Sequence, residues 1–295
     1  MSEIEKLQLV INNRGFELVD GDRLISFYRT NEELPREESP KPCFAPIYTP
    51  SGRLVTEYRP ADHAWHTGLY FGWVHVNDAN LWGGEWHVPE SGKYELVIGT
   101  HGIQRHDRFR NMQSGVGSVA ITEDLTWLDQ ADVPMVREER QYRFETVPDV
   151  AGYVWSIRTE ISSIGEKTTI EASKANGYSG LVLRMGPPFA PAIHRSSEGL
   201  LGHETIMGTR GRWVSADGAG GGSVLMMDHP QNPRHPITWF TRTNLLGTGM
   251  LMDDSIEIRY GEPLVLIYGL AILDQNIDDA SAEKLYSRFV KSAPD

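Results

Sequence analysis

Alternation of apolar and polar residues with a period of two constrains the fold of this chain more than any other feature. In residues 153–161 every second position carries a large or β-branched side chain, and the positions between them are mostly polar. Residues 94–98 and 256–260 repeat the pattern, and in Leu69–Val76 it puts two aromatic residues and His75 on one face. Because successive side chains of a strand point to opposite faces, these segments are predicted to be half-buried β-strands.

Two apolar runs and one helical pattern complete the predicted architecture. Residues 224–227 and Leu264–Leu273 are apolar on both faces, as expected of central strands covered on both sides. Gly269 and several β-branched residues make the second run a poor helix. Only the segment from Asp279 has apolar residues at helical spacing. We therefore predict an all-β fold, a large two-sheet antiparallel β-sandwich with a short C-terminal helix, as a single domain over residues 1–295.

Composition excludes several classes of partner. A formal net charge of −12 argues against nucleic acid, because a phosphate backbone requires a basic face. No apolar run approaches the roughly 18–20 residues needed to cross a bilayer, so no membrane partner is expected. The single cysteine, Cys43, excludes an intramolecular disulfide and fits a reducing compartment. The first residues lack the basic and apolar regions of a signal peptide, which predicts a cytoplasmic protein.

Tryptophan and histidine are concentrated in one short window. Residues 63–87 contain four of the eight tryptophans and four of the ten histidines. Tryptophan offers a large stacking surface and an N–H that needs a partner, and histidine titrates near neutral pH. This combination predicts a pocket that stacks on a polar ring and transfers protons. His63 and His66 are the candidate acid–base residues, and Trp73 and His75 are candidate substrate-binding residues.

A metal ion at these histidines is an open alternative. A metal needs at least three donors, and the spacing of His63 and His66 alone is common by chance. Further donors in the surrounding sequence would be His75, Glu85, His87, His101 and His106. No other cofactor is implied by the sequence.

A second polar and aromatic cluster spans residues 228–242. Asp228 would orient His229 as a further acid–base residue at the end of the buried strand 224–227. The alternative is a rigid polar turn set by three prolines, with Trp239 in the core. Glu198 is the candidate partner carboxylate. The candidate substrate-binding residues of this cluster and of other segments are Arg59, Arg210, Arg234, His235, Trp239 and Arg242, because arginine forks bind hydroxyls or carboxylates and an indole packs on a sugar face.

Two motifs resemble bacterial proteins that carry the label "PmoA family", which is borrowed from a methane oxygenase subunit. They are Asp62-His63-x-x-His66-x-Gly-Leu-x-Phe71 and Asp228-His229-Pro230-x-x-x-Arg234-His235-Pro236-x-x-Trp239-x-x-Arg242. The resemblance implies a β-sandwich of the galactose-mutarotase type. It also implies a role in carbohydrate catabolism, by association with sugar oxidoreductases.

These observations support three hypotheses. The first is a carbohydrate-active enzyme with histidine acid–base chemistry, either an epimerase or mutarotase, or a lyase or hydrolase acting on an oxidised glycoside. Its partners would be a small-molecule carbohydrate and a sugar oxidoreductase of the same pathway. The second is a non-catalytic carbohydrate-binding protein, with the same aromatics and arginines. The third is a metal-dependent oxygenase or hydrolase.

Overall fold

The structure, a computed structural model, describes residues 7–30, 33–173, 176–187 and 189–292. Residues 1–6, on which the signal-peptide prediction rests, lie outside these ranges. Within them the chain forms 21 β-strands, two α-helices and two short 3-10 helices, at Arg36–Glu38 and Pro148–Val150. The prediction of an all-β fold is confirmed. The strands and α-helices are β1 (Leu7–Asn12), β2 (Gly15–Asp20), β3 (Arg23–Arg29), β4 (Cys43–Ile47), β5 (Leu69–Val76), β6 (Ala79–Leu81), β7 (Trp86–Val88), β8 (Lys93–Glu95), β9 (Ile103–Gly115), β10 (Ser118–Leu128), β11 (Pro134–Val147), β12 (Gly152–Ser163), β13 (Lys167–Glu171), β14 (Gly180–Arg184), β15 (Ile193–Ser196), α1 (His203–Ile206), β16 (Trp213–Asp217), β17 (Ser223–Asp228), β18 (Trp239–Arg242), β19 (Leu245–Thr248), β20 (Ile256–Arg259), β21 (Leu264–Leu273) and α2 (Asp279–Ser292).

Two large sheets make the sandwich. The first sheet has 11 strands, with the order β1-β2-β3-β4-β5-β14-β19-β18, to which β6, β13 and β20 attach. The second sheet has eight strands in the order β15-β16-β17-β21-β12-β11-β10-β9, and β7 and β8 form a separate hairpin. The pairings between these strands are antiparallel. The predicted two-sheet antiparallel sandwich is therefore confirmed.

The main core lies between the two sheets and follows the period-two pattern. On β5, Leu69, Phe71 and Trp73 point into this core, and on β12 Tyr153 and Trp155 do the same. Core residues come from as far apart in the chain as β1 and β21. Each strand thus commits one of its two faces to the interior.

The outer faces of the two sheets are covered in different ways. Helix α2 packs Leu285 and Phe289 against the outer side of β21, together with Ile267 and Ala271. This second apolar layer explains why Leu264–Leu273 is apolar on both faces. The outer face of the first sheet is instead covered by loops, over a smaller apolar cluster that includes Tyr70, Trp82, Tyr178 and Phe240. The candidate site lies among these loops.

The interior also contains a charged network between the sheets. Arg140, which is 1% exposed, donates from Nε to Glu138 at 2.6 Å and from Nη2 to the same carboxylate at 2.8 Å. The buried carboxylate of Glu123 accepts hydrogen bonds from Tyr28 and from His106 Nδ1. Buried charges are costly unless they are paired, and here each has an opposite charge or strong donors in contact.

One predicted strand is only partly formed. The alternation in residues 94–98 predicts a half-buried strand, but β8 ends at Glu95. Leu96 and Ile98 are 46% and 67% exposed, because no apolar layer faces them. Neither α1 nor α2 is long and apolar enough to span a membrane, within the part of the chain that the structure describes.

Candidate functional site

A cleft of about 710 Å³ lies on the outer face of the first sheet and contains both histidines of the first motif. Its floor comes from outward-facing residues of β14 and β18, namely Arg184, Phe240 and Arg242, because inward and outward side chains alternate along each strand. Strand β8 supplies Tyr94, β19 supplies Leu245, and loops on either side supply the rest of the lining. The full lining is Asp62, His63, Trp65, His66, Trp82, Glu85, Tyr94, Asn176, Tyr178, Arg184, Phe240, Arg242, Thr243, Asn244 and Leu245. We call this the His63 cleft.

A braced loop holds Trp82 in the His63 cleft. The backbone N–H of Trp82 and that of Gly83 both donate to Asn80 Oδ1 at 2.9 Å. The buried Lys41 ammonium donates to the carbonyl of Trp82 at 2.9 Å, and also to the carbonyls of Glu38 and Ser39. Burial lowers the pKa of Lys41 to about 7. Gly84 has φ +64° and lies under the Trp65 ring, where a Cβ atom would come within 2.3 Å of it. The loop is therefore fixed both by hydrogen bonds and by close packing.

Three side chains of the first motif form a connected polar group. His63 Nδ1 lies 2.8 Å from Asp62 Oδ2, and the His63 side chain is 44% exposed to the cleft and solvent. The rings of His63 and His66 lie 4.9 Å apart, and Trp65 lies 5.0 Å from His63. His66 is 6% exposed, and its Nδ1 has no hydrogen-bond partner among the described residues. One imidazole is thus accessible and paired with a carboxylate, and the other is buried beside it.

Burial and charge give these groups different protonation behaviour. Burial is the main cause that holds the pKa of His66 well below its ordinary value of 6.5, and nearby His63, Arg184 and Lys41 act in the same direction. The hydrogen bond from His63 lowers the pKa of Asp62, and the Arg184 guanidinium, 3.7 Å away, acts in the same direction. At neutral pH, His66 is therefore a neutral imidazole and Asp62 a carboxylate.

Aromatic rings run from the histidines across the cleft. The rings of His66 and Trp82 lie 5.7 Å apart, those of Trp82 and Tyr178 4.6 Å, and those of Tyr178 and Phe240 5.6 Å. The guanidinium carbon of Arg242 then lies 4.8 Å from the centre of the Phe240 ring. We call this series the aromatic row. Neighbouring rings are tilted or edge-on to one another and are mostly buried, so the row forms an aromatic wall of the cleft with an acid–base group at one end and a cation at the other.

Three of the residues predicted from the sequence line this cleft, namely His63, His66 and Arg242. His229 is not brought to it. His229 packs against Phe289 of α2 with ring centres 5.5 Å apart and faces the carbonyl of Val290, so it lies on the side of the sandwich that the helix covers. Asp228 does not orient it, because that carboxylate contacts His235 Nδ1 at 2.6 Å and Asn232 Nδ2 at 2.7 Å.

The other residues of the second cluster are held by protein partners outside the cleft. Trp239 is fully buried in the main core and donates from Nε1 to the Gly211 carbonyl at 2.8 Å. His235 is held by Asp228, as described above. Arg234 donates to three carbonyl oxygens, of Met250, Asp254 and Ser255. Arg210 pairs with Asp253 at 2.5 Å, and Glu198 is an exposed residue whose carboxylate accepts from Ser197 Oγ.

Three candidates from earlier in the chain also lie outside the cleft lining. Trp73 is 1% exposed and stacks on Phe71 in the main core. Arg59 forms a two-pronged ion pair with Glu38, at 2.7 and 2.6 Å. His75 stacks on the ring of Trp86 at 4.6 Å. Their positions follow from the strand period for Trp73, and from local ion pairing or stacking for the other two.

Several cleft residues were not identified from the sequence. Arg184 is the last residue of the apolar strand β14. A charged residue at the end of a buried apolar run is the one sequence pattern that could have indicated it as a site residue. Trp65 and Trp82 lie in the predicted tryptophan window but were not singled out. Tyr178 and Asn176 belong to a loop whose sequence has no distinguishing pattern. Among the residues that the structure describes, no group of three or more His, Cys, Asp or Glu side chains is arranged to hold a metal ion.

Comparison with solved structures finds distant similarities. The chain is similar to a GH36 alpha-galactosidase from Geobacillus stearothermophilus, with 10% identity and a TM-score of 0.40 over 92% of this chain and 40% of the galactosidase. It is also similar to a TPR-domain-containing protein from Parabacteroides distasonis, with 9% identity and a TM-score of 0.35 over 94% of this chain and 55% of that one. A third similarity is to the galactosidase domain of an alpha-galactosidase-sucrose kinase, with 12% identity and a TM-score of 0.33 over 90% of this chain and 38% of that one. The chain thus spans about half or less of the length of these proteins.

Sequence comparison gives a family. No curated protein matches the chain. The family model DUF6807, described as a family of unknown function, matches residues 16–287. Because this match covers most of the chain, the protein belongs to the DUF6807 family.

Proposed function

We propose that this chain is a carbohydrate-active enzyme that carries out acid–base chemistry with His63 and His66 in the His63 cleft. The observation that carries the proposal is the hydrogen-bonded pair of Asp62 and His63, adjacent to a buried neutral His66 and to the aromatic row. Perturbed titratable groups in a concave site are typical of catalytic positions. The resemblance of the first motif to the "PmoA family" supports carbohydrate catabolism as the context.

The hydrogen bonds assign complementary roles to the two imidazoles. With Asp62 ionised, His63 Nδ1–H donates to it, and Nε2 is then the nitrogen that accepts a proton. His66 has a buried Nδ1 without a partner, so we assign its proton to Nε2. A neutral imidazole N–H is a suitable donor to a carbonyl oxygen on which negative charge develops.

The aromatic row supplies the binding surface for a sugar ring. The C–H face of a pyranose packs on an aromatic face, and its hydroxyls are left for polar side chains at the rim. The exposed edges of Trp82 and Tyr178 and the half-buried ring of Trp65 beside His63 offer that surface. Asn176, Asn244 and Glu85 line the same cleft. This arrangement would place one end of a bound saccharide beside His63.

Two reaction types fit these roles, and both begin with the same proton transfer. In a sugar that carries a ring carbonyl, introduced by a sugar oxidoreductase, the neighbouring C–H is acidic. His63 would remove that proton while His66 donates to the carbonyl oxygen. In an epimerisation the carbon takes a proton from solvent water on the opposite face of the ring, and protonated His63 returns its proton to solvent. In an elimination the electron pair forms a C=C bond, the C–O bond to the leaving sugar breaks, and protonated His63 transfers its proton to the leaving oxygen.

A non-catalytic carbohydrate-binding role is the second candidate. The aromatic lining of the cleft favours it, because contact with these rings would bind a sugar without any proton transfer. The two proposals differ in what they predict for the histidines. A binding protein should show no turnover, and its affinity should depend on the aromatic residues more than on His63.

The test measures turnover of free and 3-oxo sugars by NMR for wild type, His63→Gln and His66→Gln. His229→Gln is the matched control, because His229 lies under α2 and outside the cleft. We expect His63→Gln to lower the rate by roughly 10²- to 10⁴-fold, with His229→Gln within about twofold of wild type. Sugar binding without turnover in any variant would favour the non-catalytic role. Equal rates for wild type and His63→Gln would contradict the proposed chemistry.

A further inference from the structure

Arg242 reaches the His63 cleft because of the register of β18. Along this strand Trp239 points into the main core and is fully buried, whereas Phe240 and Arg242 are two residues apart and both line the cleft. Phe240 is part of the outer apolar cluster, and the Arg242 guanidinium lies over its ring at 4.8 Å. A planar guanidinium over an aromatic ring is held in a fixed orientation, so its free edges are directed before any ligand arrives.

The hydrogen-bond donors of Arg242 are mostly unused. Arginine has five N–H donors, and the contact described for Arg242 is one bond from Nη1 to the Thr241 carbonyl at 2.9 Å. No carboxylate lies within ion-pair distance of it among residues 7–30, 33–173, 176–187 and 189–292. The other cleft arginine, Arg184, differs, because it faces Glu57 at 3.3 Å and Asp62 at 3.7 Å.

The other arginines predicted to bind substrate have protein partners for their guanidinium groups. Arg59 is paired with Glu38, and Arg210 with Asp253. Arg234 donates to three carbonyl oxygens. Each of these guanidinium groups is satisfied by the protein. Arg242 is therefore a cation that is partly desolvated in a cleft, fixed in orientation and still able to accept an anion.

Among the charged residues that line the cleft, Arg242 is the one whose charge is available to attract an anionic ligand. Asp62 is engaged by His63 and by Arg184, so its charge is compensated. Glu85 is the remaining carboxylate in the lining, and it is exposed to solvent, where its field is screened. The net charge of −12 provides no long-range attraction for an anion. A preference for an acidic ligand in this cleft would therefore depend on short-range contact with Arg242.

We propose that the saccharide bound in the His63 cleft carries an anionic substituent, a carboxylate or a phosphate, and that Arg242 binds this group at the end of the aromatic row opposite the histidines. This inference rests on the proposed function and adds the substrate class to it. A guanidinium fork matches two oxygens of either group. Two aromatic side chains, Trp82 and Tyr178, separate His66 from Phe240, so the anionic group lies on a part of the ligand away from the reacting carbon.

The test compares three ligands that differ in one substituent: a neutral disaccharide, the same disaccharide with one hexuronate ring, and its 6-phosphate ester. Affinities are measured by calorimetry for wild type, Arg242→Gln and Arg242→Lys. Arg210→Gln is the matched control, because Arg210 lies in an ion pair outside the cleft. We expect wild type to bind one acidic ligand about 10- to 100-fold more tightly than the neutral one, because only the acidic ligand forms a hydrogen-bonded ion pair with Arg242. The acidic ligand that shows this preference distinguishes carboxylate from phosphate.

Arg242→Gln should lose that preference and bind the neutral ligand within about twofold of wild type, and Arg210→Gln should keep it. Arg242→Lys retains the charge without the fork, and an intermediate preference is expected; this variant also tests the inference if the glutamine variant does not fold. Equal affinities of wild type for all three ligands, or a parallel loss for neutral and acidic ligands in Arg242→Gln, would overturn the inference and leave the proposed function intact. Absence of binding for every saccharide would overturn both.

Discussion

Buried His194 is expected to make the stability of the fold depend on pH below neutrality. His194 lies on β15 with no exposed surface, and burial, together with the charge of nearby His203, lowers its pKa to about 4. In the unfolded chain the imidazole titrates near 6.5, so between pH 6.5 and 4 the unfolded state binds a proton that the folded state does not. The contribution to the free energy of unfolding is therefore fully present above pH 6.5. It decreases as the pH falls toward 4, by about 3 kcal/mol in total.

The assay is urea unfolding followed by the fluorescence of the eight tryptophans, at several pH values between 7.5 and 4. His194→Phe removes the titrating group from both states. We expect the free energy of unfolding of the variant minus that of wild type to rise by about 3 kcal/mol from pH 7.5 to pH 4. This change does not depend on the value of the difference at pH 7.5. Ser215→Ala, which changes a buried residue without a titrating group on the strand paired with β15, is the control and should follow the pH dependence of wild type. Parallel stability curves for wild type and His194→Phe would refute the reasoning.

Two further substitutions test the interior and the cleft separately. Glu138→Gln removes the carboxylate that accepts two hydrogen bonds from buried Arg140 and should lower the free energy of unfolding by about 3–5 kcal/mol in the same urea assay; a loss below about 1 kcal/mol would contradict the importance of this ion pair. Gly84→Ala introduces a methyl group into the position of the Trp65 ring, at a residue with φ +64°, and should cost about 1–2 kcal/mol of stability. Because Trp65 lines the cleft, sugar affinity measured by calorimetry should fall at least several-fold in Gly84→Ala, and unchanged affinity would show that the ring is not part of the binding surface.

The architecture could be predicted from the sequence wherever a strand has one face in the core. Residues 153–161 alternate because one face of β12 lies in the main core and most residues of the other face are polar, and Leu264–Leu273 does not because α2 covers the other side of β21. Residues 94–98 alternate as well, yet four of these five residues are exposed, because a period of two does not reveal whether a facing layer exists.

The site could be predicted only in part, because the sequence does not show which outward-facing strand residues lie beneath the same loops. His63 and His66 lie in the cleft because one short loop carries both. His229 has the same kind of sequence environment but follows a strand of the second sheet, and α2 covers it. Arg184 and Tyr178 come from segments without a motif, and they join the cleft through pairing of β14 with β5 and through packing on Trp82.

The alternation along β18 separates two kinds of evolutionary pressure on adjacent residues. A substitution at Trp239 acts on folding, because this side chain is inside the main core. A substitution at Phe240 or Arg242 alters the lining of the His63 cleft and leaves that core unchanged. The shape and charge of the cleft can therefore change at alternate positions of one strand, while the positions between them preserve the main core.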